Sequence, residues 1–299
     1  MAEVTAQLVK LLRERTGAGM MDCRNALVEA NANLDDAEVV LRKRGAAAAA
    51  KKATRSAKQG LIAVDIAADG QSAVIVEVNC ESDFVARTDE FHSLAADLAS
   101  QVASSSATSV EDLLLEPLKK DPSTTVGDFI KAQIARVGEN IVLPRFERIR
   151  VSNGSIASYT HPGSQLAVAM ALSSAAGHSE ELLALGRDLA MQVAAADPKY
   201  IRRDQVDPAH LAREADIARD RARNEGKPDK ILDKIVEGRL GKYFEEVCLI
   251  EQPFIKDNTL TVAELIRQKS ASTGGAIEVA HFARFKVGET QSGEEAAAE

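Results

Sequence analysis

The 299-residue sequence predicts an α+β fold, and three observations carry that prediction. Apolar residues first recur at helical spacing, then switch after Gly60 to the period of two that marks strands. Short motifs also return in the same order. Gly60-x-Ile62-Ala63 recurs as Gly154-x-Ile156-Ala157 and Ala73-Val74 as Ala167-Val168 at one offset of 94, and Asp97-Leu98-Ala99-x-Gln101-Val102-Ala103 returns as Asp188-Leu189-Ala190-x-Gln192-Val193-Ala194 at an offset of 91. A two-lobed core built from a duplicated hairpin-plus-helix unit explains such matches. Finally, residues 207–244 are charged and helical around a Gly226-Lys227-Pro228 break, which predicts an antiparallel helical-hairpin insertion.

The first 45 residues read as three helices. Val4, Leu8, Leu11 and Leu12 form one stripe behind a Thr5 N-cap, and Thr16-Gly17-Ala18-Gly19 breaks the helix. A second helix starts near Met21 and buries Cys23, Leu27 and Ala30. Asn33 caps a third, expected to end on Arg42, Lys43 and Arg44 before Gly45. Residues 46–59, with Lys51, Lys52, Arg55 and Lys58 and no acid, read as a basic linker.

Residues 60–150 form the first core subdomain. A hairpin turns at Asp69-Gly70, helices follow over 91–104 and 125–137, and a strand closes the lobe at 141–151. Residues 151–206 open the second subdomain, which is expected to resume over 245–260 with a strand at 246–251. Thr261-x-x-Glu264 is a capping box, and Ile277, Val279, His281, Ala283, Phe285 and Val287 alternate as a terminal strand, giving a small C-terminal module over 261–287. An acidic tail occupies 288–299.

Composition narrows the function. With 45% hydrophobic and 27% charged residues the chain is neither wholly disordered nor membrane-spanning. The amino terminus lacks an export signal, so a cytoplasmic protein is expected, and the separated Cys23, Cys80 and Cys248 suit a reducing compartment. A net charge of -8 argues against a nucleic-acid binder, whereas residues 1–60 carry 11 basic against 7 acidic residues and suit an acidic partner surface.

Catalytic signatures fail one by one. Gly17-Ala18-Gly19 lacks both the third glycine, where Asp22 stands, and a preceding strand; Gly226-Lys227 and Gly241-Lys242 lack the rest of a phosphate loop. His92, His161, His178, His210 and His281 have no metal-ligand spacing, and Cys80 reads as a buried strand-end thiol. No cofactor, metal or covalent chemistry is expected.

A partner-binding surface is the remaining reading. Val76-Glu77-Val78-Asn79-Cys80-Glu81-Ser82-Asp83-Phe84-Val85-Ala86-Arg87 runs off a strand into a loop that joins an acid to a large aromatic. By spacing alone Phe84 is a core filler and Asp83 a helix cap. Met20 and Met21, adjacent beside a glycine-rich loop, suit an adaptable contact surface, while Leu12 is divided between core and contact. Ile235 and Val236 read first as hairpin core and second as contact, and His161, before Pro162 and Gly163, reads as a turn residue.

These segments resemble one family. The stretch around Asp83 and Phe84 is similar to the Asn-Cys-x-Thr-Asp-Phe-Val-Ala signature of elongation factor Ts, and LVKLLRERTGAGMMDC, from Leu8 to Cys23, is similar to its amino-terminal signature. Gly138-Glu139-Asn140-Ile141, Tyr159-Thr160-His161, Met191 to Ala195, Val236 to Arg239 and Gln252-Pro253-Phe254 extend the resemblance over all but the acidic tail. Two positions depart: Ser82 stands where Thr is usual, and Gln165 where a basic residue is common.

The resemblance implies a three-helix module like the ubiquitin-associated (UBA) domain and a role as guanine-nucleotide exchange factor for the GTPase EF-Tu in translation elongation. It implies that Ser82, Asp83, Phe84 and Val85 form a loop that disturbs the partner's Mg²⁺ and phosphate site. It further implies partner contacts by Leu12, Met20, Met21, His161, Ile235 and Val236. A homodimer or a two-to-two complex through the helical hairpin stays open. So do three rival functions: a non-catalytic adaptor, an enzyme using Cys80 or histidines, and an RNA binder using the basic linker.

Overall fold

A computed structural model of the protein describes residues 3–175 and 177–289, so the acidic tail beyond Glu289 lies outside the described residues. Three helices come first: α1 (Ala6–Thr16), α2 (Met20–Glu29) and α3 (Leu34–Lys52). The Thr5 hydroxyl accepts from Leu8 N, Gly17 closes α1 at φ 67°, and the Asn33 side chain accepts from Asp35 N and Asp36 N. Val9, Leu12, Cys23, Ala26, Leu27 and Ala37 make this module's own core.

Helix α3 does not stop at Gly45, contrary to the sequence expectation; the supposed linker continues it to Lys52. Alanine at 46–50 is the strongest helix former, and Lys51 and Lys52 meet the negative end of the helix dipole. Gly45 serves close approach instead. A Cβ there would lie 3.3 Å from Ala135 Cβ on α7 (Val126–Val137), the core helix against which α3 packs.

The core begins with β1 (Gln59–Ile66) and β2 (Ser72–Cys80), followed by α4 (Asp83–Ala86), α5 (Asp89–Ser104) and α6 (Val110–Leu115). A short hairpin, β3 (Pro117–Leu118) with β4 (Asp121–Thr125), leads into α7, and β5 (Ile141–Arg150) completes an antiparallel sheet in the order β1-β2-β5. The second half runs β6 (Gly154–Thr160), β7 (Leu166–Ser174), α8 (Glu180–Ala196), then the helical pair α9 (Pro208–Asn224) and α10 (Asp229–Val247). It ends with β8 (Pro253–Phe254), β9 (Asp257–Thr261), α11 (Val262–Thr273) and β10 (Ile277–Lys286).

Two expectations about this half are corrected. Residues 246–251 are no strand: α10 runs to Val247 and a 3-10 turn covers Leu249–Glu251, with one bridge from Cys248 to Tyr200. Nor do α11 and β10 stand apart as a C-terminal module. Strand β10 pairs with β7 to give the sheet β10-β7-β6, and α11 packs into the same apolar cluster as α8. A lone helix and strand could not bury their apolar faces; joining the sheet lets both do so.

The two sheets face each other across Ile62, Ile75, Ile149, Ile156, Ala169 and Phe285. Helices α5 and α7 cover the outer face of the first sheet, and α8 and α11 that of the second. Mixed helix and antiparallel sheet is thus the observed class. Among the described residues no helix is long and apolar enough to cross a membrane.

Candidate functional site

The end of β2 presents the most exposed aromatic side chain among the described residues. Phe84 is 83% exposed, on a one-turn helix whose backbone is tightly held. Ser82, not Asp83, is the cap, its hydroxyl accepting from Val85 N at 3.3 Å. Below it Ala86 is buried and Val85 packs on the first core cluster, so the turn is anchored on its inner side while Phe84 faces solvent. Exposure of a large ring on a rigid support is the opposite of the core-filler role that spacing suggested.

Asp83 pairs with Arg87 at 2.9 Å one turn on, both side chains partly in solvent. Such a pair contributes little stability, so Asp83 is readily transferred to another cation or polar group. Glu139, from the turn after α7, closes the loop from the other side. Its carboxylate accepts from Glu81 N at 3.1 Å, Ser82 N at 2.9 Å and Ser82 Oγ at 2.6 Å. Spacing could not reveal this contact, because 57 residues separate Glu139 from Ser82.

Cys80 lies directly beneath, its Sγ 3.2 Å from Ser82 O. Burial, and then the Glu139 charge, push its thiol up to about 12. A group so protonated at neutral pH is a poor nucleophile. Cys248 is likewise pushed up to about 11 by burial, and burial also raises Cys23. Among the described residues no cluster of His, Cys, Asp and Glu could hold a metal ion.

Met20 and Met21, 59% and 62% exposed, form the first turn of α2, with Val28 and Leu11 also in solvent nearby in the module. Arg136 on α7 reaches from the Gly17 turn of the module to the start of α5. Its Cδ is 3.4 Å from a Cβ built on Gly17, and its guanidinium donates to Glu90 in the first turn of α5 at 2.5 Å. Arg136 thus ties the Gly17 turn of the amino-terminal module to the start of α5.

Leu12 does not belong to that surface. It is wholly buried in the module core, where it supports α1 and α2 from beneath, the core side of the two readings the sequence left open. Val236 is similarly buried in the helical hairpin, with Ile235 half-buried beside it. Position explains both burials, since each lies on the face its helix turns to a neighbour.

His161 is exposed in the turn joining β6 and β7, with Tyr159 Oη 2.9 Å from its Nδ1. Ile62 N donates to Ser164 O at 2.7 Å, which sets this turn beside β1 near the end that carries Cys80 and the Phe84 loop. Asp83 and Phe84 follow β2 past Cys80, and the His161 turn lies beside Ile62, which pairs with Glu77 three residues before Cys80. Ile235 and Val236 lie away on the hairpin.

The family model for Elongation factor TS matches residues 81–289, beginning at the root of this loop. Among curated relatives, Elongation factor Ts of Clostridium kluyveri is 47% identical over 96% of this chain and 93% of its own length. The proteins of the same name from Clostridium acetobutylicum and Clostridium tetani are 45% and 44% identical over 96% of this chain, covering 93% and 94% of their own lengths. On this similarity, over the sheets, the helical hairpin and the exposed Phe84 turn alike, the chain belongs to the elongation factor Ts family.

Proposed function

We propose that this protein is a guanine-nucleotide exchange factor for the elongation GTPase EF-Tu and performs no covalent chemistry of its own. The observation that carries this reading is the 83% exposure of Phe84 on a turn fixed by Ser82, Glu139 and the underlying core. An exposed ring costs nothing to withdraw from its own protein, and burying it against a partner is worth roughly 2 kcal/mol. Phe84 supplies the apolar wedge, with Ser82 and Val85 shaping the turn. Asp83, released from Arg87, disturbs the polar contacts around the partner's Mg²⁺ and phosphates.

Linkage supplies the rest of the mechanism. A factor that binds the nucleotide-free GTPase more tightly than the GDP-bound form weakens GDP binding by the same factor. Met20 and Met21 add adaptable contact area, and His161 extends the contact from the turn beside β1. The high proton affinity of Cys80 supports a non-covalent role.

We also infer that the two halves of the core are copies of one unit and that α1 to α3 form a UBA-like module. Matching contacts support the duplication. Gln101 and Gln192 hold β3–β4 and β8–β9 alike, and Asp97 and Asp188 pair with Lys120 and Lys256. In this division the second copy includes residues 261–287.

The decisive experiment is stopped-flow release of fluorescent GDP from EF-Tu, with and without the protein. Acceleration that falls in Asp83→Ala/Phe84→Ala supports both the function and the wedge. No acceleration by the folded wild type refutes exchange activity and leaves a simple adaptor.

A further inference from the structure

The Glu139-Asn140 turn stands outside the loop that touches the partner in the proposed mechanism, yet it is wired to the loop and to the amino-terminal module at once. Glu139 receives three hydrogen bonds from Glu81 and Ser82, the two residues immediately before Asp83. Its neighbour Asn140, buried, donates its backbone N–H to Glu81 Oε1 at 2.6 Å and its side-chain amide to Arg55 O at 2.9 Å. Arg55 Nη1 returns to Glu81 Oε1 at 3.5 Å. Arg55 is where the chain leaves the amino-terminal module, three residues beyond the end of α3.

Two backbone N–H groups converging on one carboxylate fix the direction in which a chain leaves its strand, because charge-assisted hydrogen bonds are short and strong. The same carboxylate accepts the Ser82 hydroxyl proton, leaving the hydroxyl oxygen's lone pairs to cap Val85 N. The orientation of the helical turn bearing Phe84 thus depends on Glu139, and the register of that turn against the module depends on Glu81, Asn140 and Arg55.

We propose that Glu139 is a positioning residue for exchange: it aims the Phe84 turn, and through Asn140 and Arg55 it locks that turn to the amino-terminal module so the two engage the GTPase as one body. The proposal rests on the exchange-factor reading. It predicts a division of labour in which the module and core surfaces set how much protein half-saturates the partner, while Glu139 sets how fast the saturated complex releases GDP.

The test compares wild type, Glu139→Gln, Ser82→Ala and the double variant by release of fluorescent GDP from EF-Tu over a concentration series. Amide hydrogen exchange of the free proteins is read in parallel. Glu139→Gln is isosteric but turns an N–H₂ toward N–H donors. Loss of alignment at a reacting site costs about tenfold to a hundredfold, so its maximal release rate is expected to fall about tenfold or more while the half-saturating concentration stays within about twofold. The Glu81 and Ser82 amides exchange faster, and the losses in the double variant are less than additive, since the Ser82 hydroxyl contact is already broken in Glu139→Gln.

A wild-type maximal rate in Glu139→Gln overturns the proposal. So does a raised half-saturating concentration with an unchanged maximal rate, because the residue then serves only the fold. Should Glu139→Gln fail to fold, an unchanged maximal rate in Ser82→Ala overturns it. If the wild type itself does not accelerate release, the exchange reading fails; unchanged protection of the Glu81 and Ser82 amides in Glu139→Gln separately removes the clamp.

Discussion

Gln101 on α5 and Gln192 on α8 perform the same task 91 residues apart. Gln101 donates to Pro117 O at 3.2 Å and accepts from Lys119 N at 2.7 Å; Gln192 donates to Pro253 O at 3.2 Å and accepts from Ile255 N at 2.8 Å. Each buried amide satisfies two backbone groups of a two-strand hairpin too short to stand alone. Gln101→Leu or Gln192→Leu leaves those groups unpaired, at a cost of roughly 2–4 kcal/mol. Denaturant unfolding is expected to show both losses at similar size, and a loss below about 0.5 kcal/mol at either site defeats this account.

Phe84→Ala separates the wedge from the fold. Its side chain is 83% exposed, so truncation is expected to leave the melting temperature unchanged. If about 2 kcal/mol of burial is lost only in the exchange complex, GDP release slows roughly 30-fold. Asp83→Ala, which removes a solvent-exposed partner of Arg87, is expected to slow it less. A Phe84→Ala protein that melts early, or exchanges like wild type, contradicts the wedge.

How much of this was legible beforehand follows from the range of each interaction. Thr5, Asn33 and the Thr261–Glu264 capping box act within three residues of themselves, and the sequence displays them. Gly45 follows three cations, which is also how a helix ends, but its reason for being glycine is Ala135, ninety residues on. The alternation of β10 was readable, whereas its pairing with β7 was not, because a strand's pattern gives its buried face and not its neighbour. At the site, the Asp83-Phe84 pair stood out by family resemblance alone. The Glu139 clamp and the burial of Leu12 required the fold.

His281 and Glu147 tie the two sheets together at their edge, with Nε2 2.5 Å from Oε1. The hydrogen bond to Glu147 raises the His281 pKa above its ordinary value, against an opposing effect of burial. A raised folded-state pKa means that the pair's contribution is complete below the unfolded value of about 6.5 and disappears as pH rises through the folded value. Both groups are partly exposed, so the effect is small. Melting curves of wild type and His281→Asn are expected to differ below that range and converge above it; a gap that widens with pH refutes the assignment.

Leu12 and the neighbouring methionines carry the last prediction, since one fold-supporting side chain and two exposed ones share a signature. Leu12 is wholly enclosed by α1 to α3, and Leu12→Ala leaves a cavity that costs roughly 2–5 kcal/mol. The module has only a small core of its own, so that loss is enough to unfold it locally while the two sheets remain folded. Met20→Ser/Met21→Ser removes apolar surface from solvent and is expected to leave unfolding unchanged. If that surface meets the GTPase, the half-saturating concentration rises about tenfold, equivalent to about 1.4 kcal/mol of lost contact, with no change in the maximal GDP release rate. The opposite split, early melting in the methionine variant and normal stability in Leu12→Ala, reverses the division between core and contact.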